Sequence, residues 1–355
     1  MDSEDITTTL SNEEWDAHIE DFLRVLLTTW RVILLLVVLI GIAGNTLVLY
    51  IICKHREMHT ATNYYVANLA AADIIFLLVC VTPVAVTFHI IQLSQFACKI
   101  IEFITHVSVQ ATSLTLTVMT IDRYNIIVHA VRSRRTRTTR KALLVNVYIW
   151  TGSIFVQLPV FIMTDVNHYR CEVKVDSLAW SLVHHYFVVA STYLLPLLVI
   201  FGCYLGILFK VWQKTSRGTE SAEAHHRSNY RKRRITRMVF IVVMLFALCW
   251  LPTNMHRLWR ATDPNYDHIW TSNWKLSNTL VIFILVLSYS NSLINPFVYA
   301  FITTAFKKCA YKSLCSHWHT YETNVLTSNE MKTVSTHSTQ RIARDSSQER
   351  PTSLT

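Results

Sequence analysis

One stretch of this chain places ionised groups among hydrocarbon neighbours. In TVMTIDRYNIIVHAVRSRRTRTTRK (117–141) an apolar run passes into a basic cluster, and Asp122, Arg123 and Tyr124 sit at the change. A charge in hydrocarbon costs several kcal/mol unless it is paired or near water. An adjacent acid and base can pair and so tolerate partial burial. A second polar set surrounds one carboxylate: Asp73 in LAAADIIF, Asn45 in GNTLVLY, Asn291 and Ser292 in SNS, then Asn295, with Thr112 joining from another run. Carboxylate, amide and hydroxyl oxygens suit a small hard cation; they suit a hydrogen-bonded structural network equally well. Neither paired catalytic acids nor a His/Glu metal cluster occurs at helical spacing, so the pattern points away from an enzyme.

The elements that must carry these residues are long and apolar. The 355-residue chain is 52% hydrophobic and 16% charged, where a soluble domain carries about 25% charge. Val32–Cys53 is 22 residues without a charge, Ala142–Thr164 is 23, Met238–Met255 is 18 and Leu276–Ile302 is 27. Ser177–Phe209 carries only His184 and His185. A membrane helix needs about 20 apolar residues. Two further segments qualify despite polar interruptions, 61–91 with Asp73 and 95–129 with Glu102 and the Asp-Arg pair. The expected fold is therefore an all-α membrane protein, a seven-transmembrane helix bundle; a barrel would need short alternating strands.

Charge sets the expected orientation. With the N-terminus outside, the connections 54–60, 130–141 and 210–237 lie inside and hold 17 Lys and Arg, as the positive-inside rule requires. The net charge of +10 is then a topology signal, and a nucleic-acid partner is not expected. The leader holds eight acids against one Arg and has no removable signal-peptide pattern, so the first span is expected to act as its own insertion signal.

The expected organisation is an acidic, mobile extracellular tail (1–29), the bundle (30–302), an amphipathic surface helix (303–315) and a disordered Ser/Thr-rich cytoplasmic tail (316–355). The surface helix follows from apolar Phe306, Ala310 and Leu314 recurring opposite Lys307, Lys308 and Lys312; its Cys309 and Cys315 are candidate palmitoylation sites or free thiols. The polar connection 213–237 is expected to extend past the helix ends and fray. Its basic residues, like those of 132–141, serve either anionic membrane lipid or a cytosolic partner. Prolines 83, 159, 196, 252 and 296 each fall within a span, where each kinks its helix. Cys53, Cys80, Cys203 and Cys249 read as small core residues.

Asn45 in GN, Asp73 in LAAAD, Asp122-Arg123-Tyr124, Trp150, Pro196 with Tyr204, CWLP (249–252) and NPFVY (295–299) occur in this order, one set per span. The chain thus resembles a rhodopsin-like (class A) G-protein-coupled receptor over roughly 30–315. The resemblance implies that Asp122 restrains Arg123 at rest and that Arg123 meets a heterotrimeric G protein on activation. It further implies that Tyr204 and Tyr299 close around the arginine, and that Trp250, Phe246 and Pro252, with Asn295 and Pro296, relay ligand contact. Asn45, Asp73, Thr112, Asn291, Ser292 and Asn295 become an allosteric sodium site; no other cofactor is expected. The basic end of the sixth span lacks an acid, so a latch from it to Arg123 is not expected; Thr236 stands there instead. Cys98 and Cys171 both fall on the oxidising outer side, where a disulfide is expected. Receptor kinases and arrestin are the expected partners of the tail. Localisation follows as multi-pass plasma membrane.

Ligand class is narrowed by two positions. Tyr289 stands where retinal-binding relatives have a lysine, and Thr105 where amine receptors have an aspartate. VSVQATSLTLT (107–117), CWLPTNMHRLW (249–259) and SYSNSLINPFVYAF (288–301) are similar to the galanin, allatostatin-A and kisspeptin receptor branch. A neuropeptide ligand and an inhibitory-class G protein are the implied partners, with a phospholipase-linked class or, more remotely, a transporter as alternatives. Thr105, His106, Gln110, Tyr169, His256, Arg257, Trp259, Arg260, Trp274 and Tyr289 are the implied ligand contacts. The tryptophans among them serve equally as an interfacial belt.

Overall fold

A computed structural model describes residues 3–87, 94–167, 170–173, 177–215, 222–302 and 305–313, with 3–20, 23, 85–87, 134, 166–167, 170–173, 178, 211, 213–215, 222–232, 267, 274 and 302 described by their backbone alone. Within Met1–Thr304 the helices are α1 (Ser3–Lys54), α2 (Ala61–Phe76), α3 (Thr82–Thr87), α4 (Gln95–Val128), α5 (Ala130–Thr136) and α6 (Thr139–Met163). A hairpin of β1 (Thr164–Asn167) and β2 (Arg170–Val173) follows, then α7 (Leu178–Val189), α8 (Leu195–Thr215), α9 (Ala222–Thr262), α10 (Tyr266–Ser272) and α11 (Trp274–Ile302). Four helices start at a Ser or Thr cap: the side chains of Thr60, Ser94, Thr138 and Ser177 accept from the amides of Asn63, Ala97, Lys141 and Trp180, each satisfying one orphan donor of a first turn.

Among the described residues, six helices are long and apolar enough to cross a membrane: Arg24–Lys54, Ala61–Val84, Thr139–Met163, Ala179–Lys210, Arg233–Thr262 and Lys275–Phe301. The remaining expected span is α4, 34 residues long but interrupted by Lys99, Glu102, Asp122 and Arg123. Its position explains its polarity. It packs against α2, α6, α8 and α9, and its Ser108, Gln110, Thr112, Ser113, Thr115, Thr117 and Thr120 are all buried. These groups face other helices, where lipid would have left them unsatisfied. On α6, by contrast, Leu144, Val147, Tyr148 and Phe155 are exposed, as a lipid-facing stripe should be. The architecture is an all-α membrane bundle of seven spans.

Two spans are bent by wide π-helical turns, Leu77–Val81 between α2 and α3 and Ala190–Leu194 between α7 and α8. Each lies just before a proline, Pro83 and Pro196. A proline has no N–H, and its ring clashes with the carbonyl four residues back. Those carbonyls belong to Val79 and Thr192, inside the widened turns. Pro159, Pro252 and Pro296 lie inside α6, α9 and α11. Close approach is needed where α1 meets α11: a Cβ on Gly44 would stand 3.1 Å from the Pro296 ring.

Several sequence expectations change. The leader is not an irregular tail where described: α1 begins at Ser3, because no glycine or proline interrupts the chain before Gly41. The connection 213–237 is helical from Ala222 onward as the start of α9; loss of apolar period did not end the helix. The connection 132–141 holds α5. Cys80 and Cys249 are buried, but Cys53 is exposed. In the second unit, Ala305–Thr355, residues 305–313 form a helix in which Phe306, Cys309 and Ser313 are buried and Lys307, Lys308, Tyr311 and Lys312 exposed. Cys315 and the tail lie outside the described residues.

Candidate functional site

The Asp122–Arg123 pair closes one end of α4. Arg123 is 3% exposed, and its Nη2 donates to Asp122 Oδ2 at 2.7 Å. A second cation shares that carboxylate: Arg137, just past α5, donates from Nε to Oδ1 at 2.7 Å and from Nη2 to Oδ2 at 3.1 Å. Thr62 of α2 completes the knot, hydrogen-bonded to both guanidinium groups and to Asp122 Oδ2. Arg123 Nε and the hydroxyls of Tyr204 and Tyr299 are buried without partners, and Tyr204 is close enough to feel the Arg123 charge. Tyr124 turns the other way, its ring against His129. Thr236 is half-buried on α9. Unsatisfied buried groups beside a paired cation make this end able to rearrange: each could gain a hydrogen bond that the present packing denies it.

Midway along the bundle, Asp73 is 1% exposed. Ser292 Oγ donates to its Oδ1 at 2.7 Å and Asn295 Nδ2 to its Oδ2 at 2.8 Å. Asn45 Nδ2 donates to the carbonyls of Gly41 and Ser292. The Oδ1 atoms of Asn45, Asn291 and Asn295 are buried with no donor. Three orphaned oxygens in the set around one carboxylate fit a small hard cation. Thr112 is buried on α4. A neighbouring network fixes α2, α4 and α6: Trp150 Nε1 donates to Asn68 Oδ1, and Asn68 Nδ2 to Thr115.

An aromatic series crosses the core. Trp30 meets Tyr289, Tyr289 meets Phe76, Phe76 meets Trp250, Trp250 meets Phe246 and Phe246 meets Tyr193, at centroid separations of 6.4, 5.6, 5.9, 6.2 and 6.2 Å. Tyr193, within the π-helical turn before α8, donates to the Ala247 carbonyl of α9. Helix α9 is therefore held near its Pro252 kink by side chains from several neighbours.

A third group lies toward the hairpin, where Gln95 ties α4 to Asp165 of β1. Arg257 Nη1 is 3.2 Å from His106 Nε2, and His106 Nδ1 is 2.9 Å from the Glu102 carbonyl oxygen. Glu102 keeps 36% of its side chain exposed. Beyond it, His256, Trp259, Tyr266 and Trp270 form an aromatic cap, with Tyr266 and Trp270 stacked at 5.2 Å. Trp259 Nε1 and the Asn265 amide donate to Asp263, which holds that carboxyl below its usual range.

The expected ligand contacts therefore divide. His106 and Arg257 come together, Thr105 is half-buried on α4 with its hydroxyl on the Ile101 carbonyl, and His256 sits in the cap against Tyr266. Trp259 is occupied with the cap, and Arg260 is exposed. Tyr289 is buried in the aromatic series, and Gln110 is turned to Gln157 and the Ser191 carbonyl. Tyr169 lies outside the described residues. Cys98 is held in a disulfide, and the backbone of Cys171 pairs with Val166 across the hairpin. Arg137, Thr62, Gln157 and His184 were not singled out in sequence. Nothing distinguishes Arg137 from the other arginines of RSRRTRTTRK, whereas Gln157 and His184 were visible as polar residues inside apolar runs.

The profile described as "7 transmembrane receptor (rhodopsin family)" matches residues 44–299. The KiSS-1 receptor of Homo sapiens is 35% identical over 288 residues, covering 78% of this chain and 72% of that one. G-protein coupled receptor 54 of Oreochromis niloticus is 34% identical over 295 residues, covering 78% and 76%. Somatostatin receptor type 5 of Bos taurus is 34% identical over 294 residues, covering 80% and 75%.

Proposed function

Because the chain belongs to the rhodopsin family of seven-transmembrane receptors, we propose that it binds an extracellular neuropeptide at the hairpin end and catalyses nucleotide exchange on a heterotrimeric G protein at the Arg123 end. The observation that carries this is the buried arginine: Arg123 is restrained by one carboxylate, beside tyrosine hydroxyls that lack partners. Glu102 and Arg123 lie 21 residues apart on α4, about 32 Å at helical rise, so one helix joins the two ends across a bilayer core.

In this reading the N-terminus is outside and the C-terminus inside, at the plasma membrane. Ligand contact displaces α9, whose Pro252 kink lies beside Trp250 and whose packing against Phe76, Phe246 and Tyr193 admits discrete rearrangement. Displacement of α9 then removes packing from Tyr204, whose ring meets Phe240 at 5.3 Å, and exposes Arg123. Relatives named for KiSS-1 and somatostatin support a peptide. The VSVQAT and HRLW runs favour the galanin, allatostatin-A and kisspeptin branch within peptide receptors, and with it an inhibitory-class G protein. Sodium at Asp73, a Cys98–Cys171 disulfide, acylation at Cys309 or Cys315, and kinase and arrestin docking on 316–355 belong to the same reading.

The test is GTP loading by the purified full chain in lipid discs, with inhibitory and phospholipase-linked α subunits assayed separately against a panel of neuropeptides. At least one peptide is expected to accelerate loading on the inhibitory class. Loading on the phospholipase-linked class alone replaces the coupling assignment, and peptide-driven solute uptake without loading on any α subunit replaces the receptor reading.

A further inference from the structure

Arg257 is a half-buried cation with an incomplete set of partners. Its Nη1 contacts His106 Nε2. The Glu102 carbonyl oxygen can only accept, so the His106 Nδ1 beside it carries the proton and Nε2 presents a lone pair to the guanidinium. The imidazole is therefore neutral and leaves the charge of Arg257 in place. No acid pairs with it directly: among the described residues no carboxylate oxygen lies within 4.0 Å of Arg257, and Glu102 acts on its charge only from farther off. Glu102 reaches toward His106 instead, at 3.7 Å.

On the facing helix α7, His184 is 5% exposed, and its Nε2 has no hydrogen-bond partner. His184 lies within electrostatic reach of both Arg257 and His106. Arg260, one turn along α9, adds to the field at His185 and His256. A charged fork on α9 and a buried imidazole nitrogen on α7 lie within electrostatic reach of each other, on helices that pack together. Among the described residues these histidine nitrogens do not gather into a set that could hold a metal ion.

We infer that Arg257 and His184 form a subsite for a single carboxylate of the bound ligand, either a peptide C-terminus or an Asp or Glu side chain. An ionised acceptor would take charge-assisted bonds from the guanidinium, roughly twice as strong as neutral ones. A carboxamide in the same place would set its own N–H groups against donors. The half-exposed Glu102 limits the charge admitted: a dianionic phosphate would meet a carboxylate of like sign. The inference rests on the hairpin end being the ligand site, and it names the chemistry recognised there.

Thermal unfolding of the purified full chain, without any G protein, tests it. The probes are N-acetyl-tryptophan and its amide, for the C-terminal source, and N-acetyl-aspartate α-amide and N-acetyl-asparagine α-amide, for the side-chain source. At about 20 mM, one acid of the two pairs is expected to raise the midpoint by about 2–4 °C, and its amide by less than about 1 °C. Arg257→Gln is expected to remove the acid-specific part and His184→Gln to halve it roughly. Should Arg257→Gln not fold, Arg257→Lys serves, retaining a reduced acid preference because it keeps charge but loses the fork. Equal shifts by acid and amide, an acid-specific shift that survives Arg257→Gln, or no shift from either acid at about 50 mM overturns the inference. The assay does not depend on nucleotide exchange, so its failure leaves the receptor reading standing, and failure of peptide-driven GTP loading leaves this result standing.

Discussion

Asp122 receives a two-pronged grip from Arg137, with Nε 2.7 Å from Oδ1 and Nη2 3.1 Å from Oδ2. Arg123 holds only Oδ2, so the arginine of the adjacent connection makes more bonds to the carboxylate than the arginine it is meant to restrain. Two cations dividing one anion weaken each other's hold. Removing Arg137 should return the whole carboxylate to Arg123. For a partly exposed pair this is worth about 1 kcal/mol, or roughly fivefold in an equilibrium. Arg137→Ala is expected to lower agonist-free GTP loading by up to that factor, and Asp122→Asn, which frees both cations, to raise it. Higher basal loading in Arg137→Ala would show that the loop arginine restrains Arg123 itself.

Arg123→Ala deletes the group proposed to meet the G protein while leaving the hairpin end about 32 Å away along α4. Peptide-stimulated loading is expected to fall to background, with peptide affinity changed by no more than a few-fold in radioligand displacement. Preserved loading would remove the arginine from the mechanism.

The seven spans were legible because bilayer thickness imposes a length that a run of uncharged residues reveals directly. Six register on apolarity alone; α4 does not, because a helix enclosed by α2, α6, α8 and α9 can carry serines, threonines and charges that a lipid-facing helix cannot. The Asp73 set was legible for a related reason, since amides and carboxylates stand out against hydrocarbon. What the sequence hid were partnerships depending on where a loop folds back. Arg137 reaches Asp122 only because α5 turns the basic connection under α4. Likewise Gln110, expected at the ligand, turns to Gln157, a pairing set by the packing of α4 on α6. Helix ends were also hidden, because polar segments without glycine or proline, as in the leader, continue a helix that apolar periodicity alone would have stopped.

Gly206 lies where α8 crosses Tyr124. A Cβ there would sit 2.5 Å from Tyr124 Cε2 and 3.2 Å from Cδ2, so the ring or the helix must move. Overpacking of this kind costs about 1–3 kcal/mol, and the displaced ring belongs to the residue next to Arg123. Gly206→Ala is expected to lower the unfolding midpoint by a few degrees and to change basal GTP loading. Gly202→Ala is the control, since a Cβ at Gly202 meets nothing within 4 Å. Equal effects from both substitutions would place the cost in α8 itself and not in its contact with Tyr124.

Asp73 offers a test of the cation reading that needs no agonist. Its two oxygens already accept from Ser292 and Asn295, yet the Oδ1 atoms of Asn45, Asn291 and Asn295 remain without donors. Three buried acceptors without protein donors favour a bound partner among them, since leaving each unmet costs about 1–3 kcal/mol of desolvation. A bound sodium ion would satisfy oxygens of this set and stabilise the resting packing of α2 against α11. Replacing potassium by sodium at equal ionic strength is therefore expected to raise the unfolding midpoint of the wild-type chain and to lower basal GTP loading. Asp73→Asn, which keeps the shape but removes the charge, is expected to lose both responses. If sodium and potassium act alike on the wild-type chain, the polar set is a hydrogen-bonded brace, and the same substitution should then alter stability without altering any ion dependence.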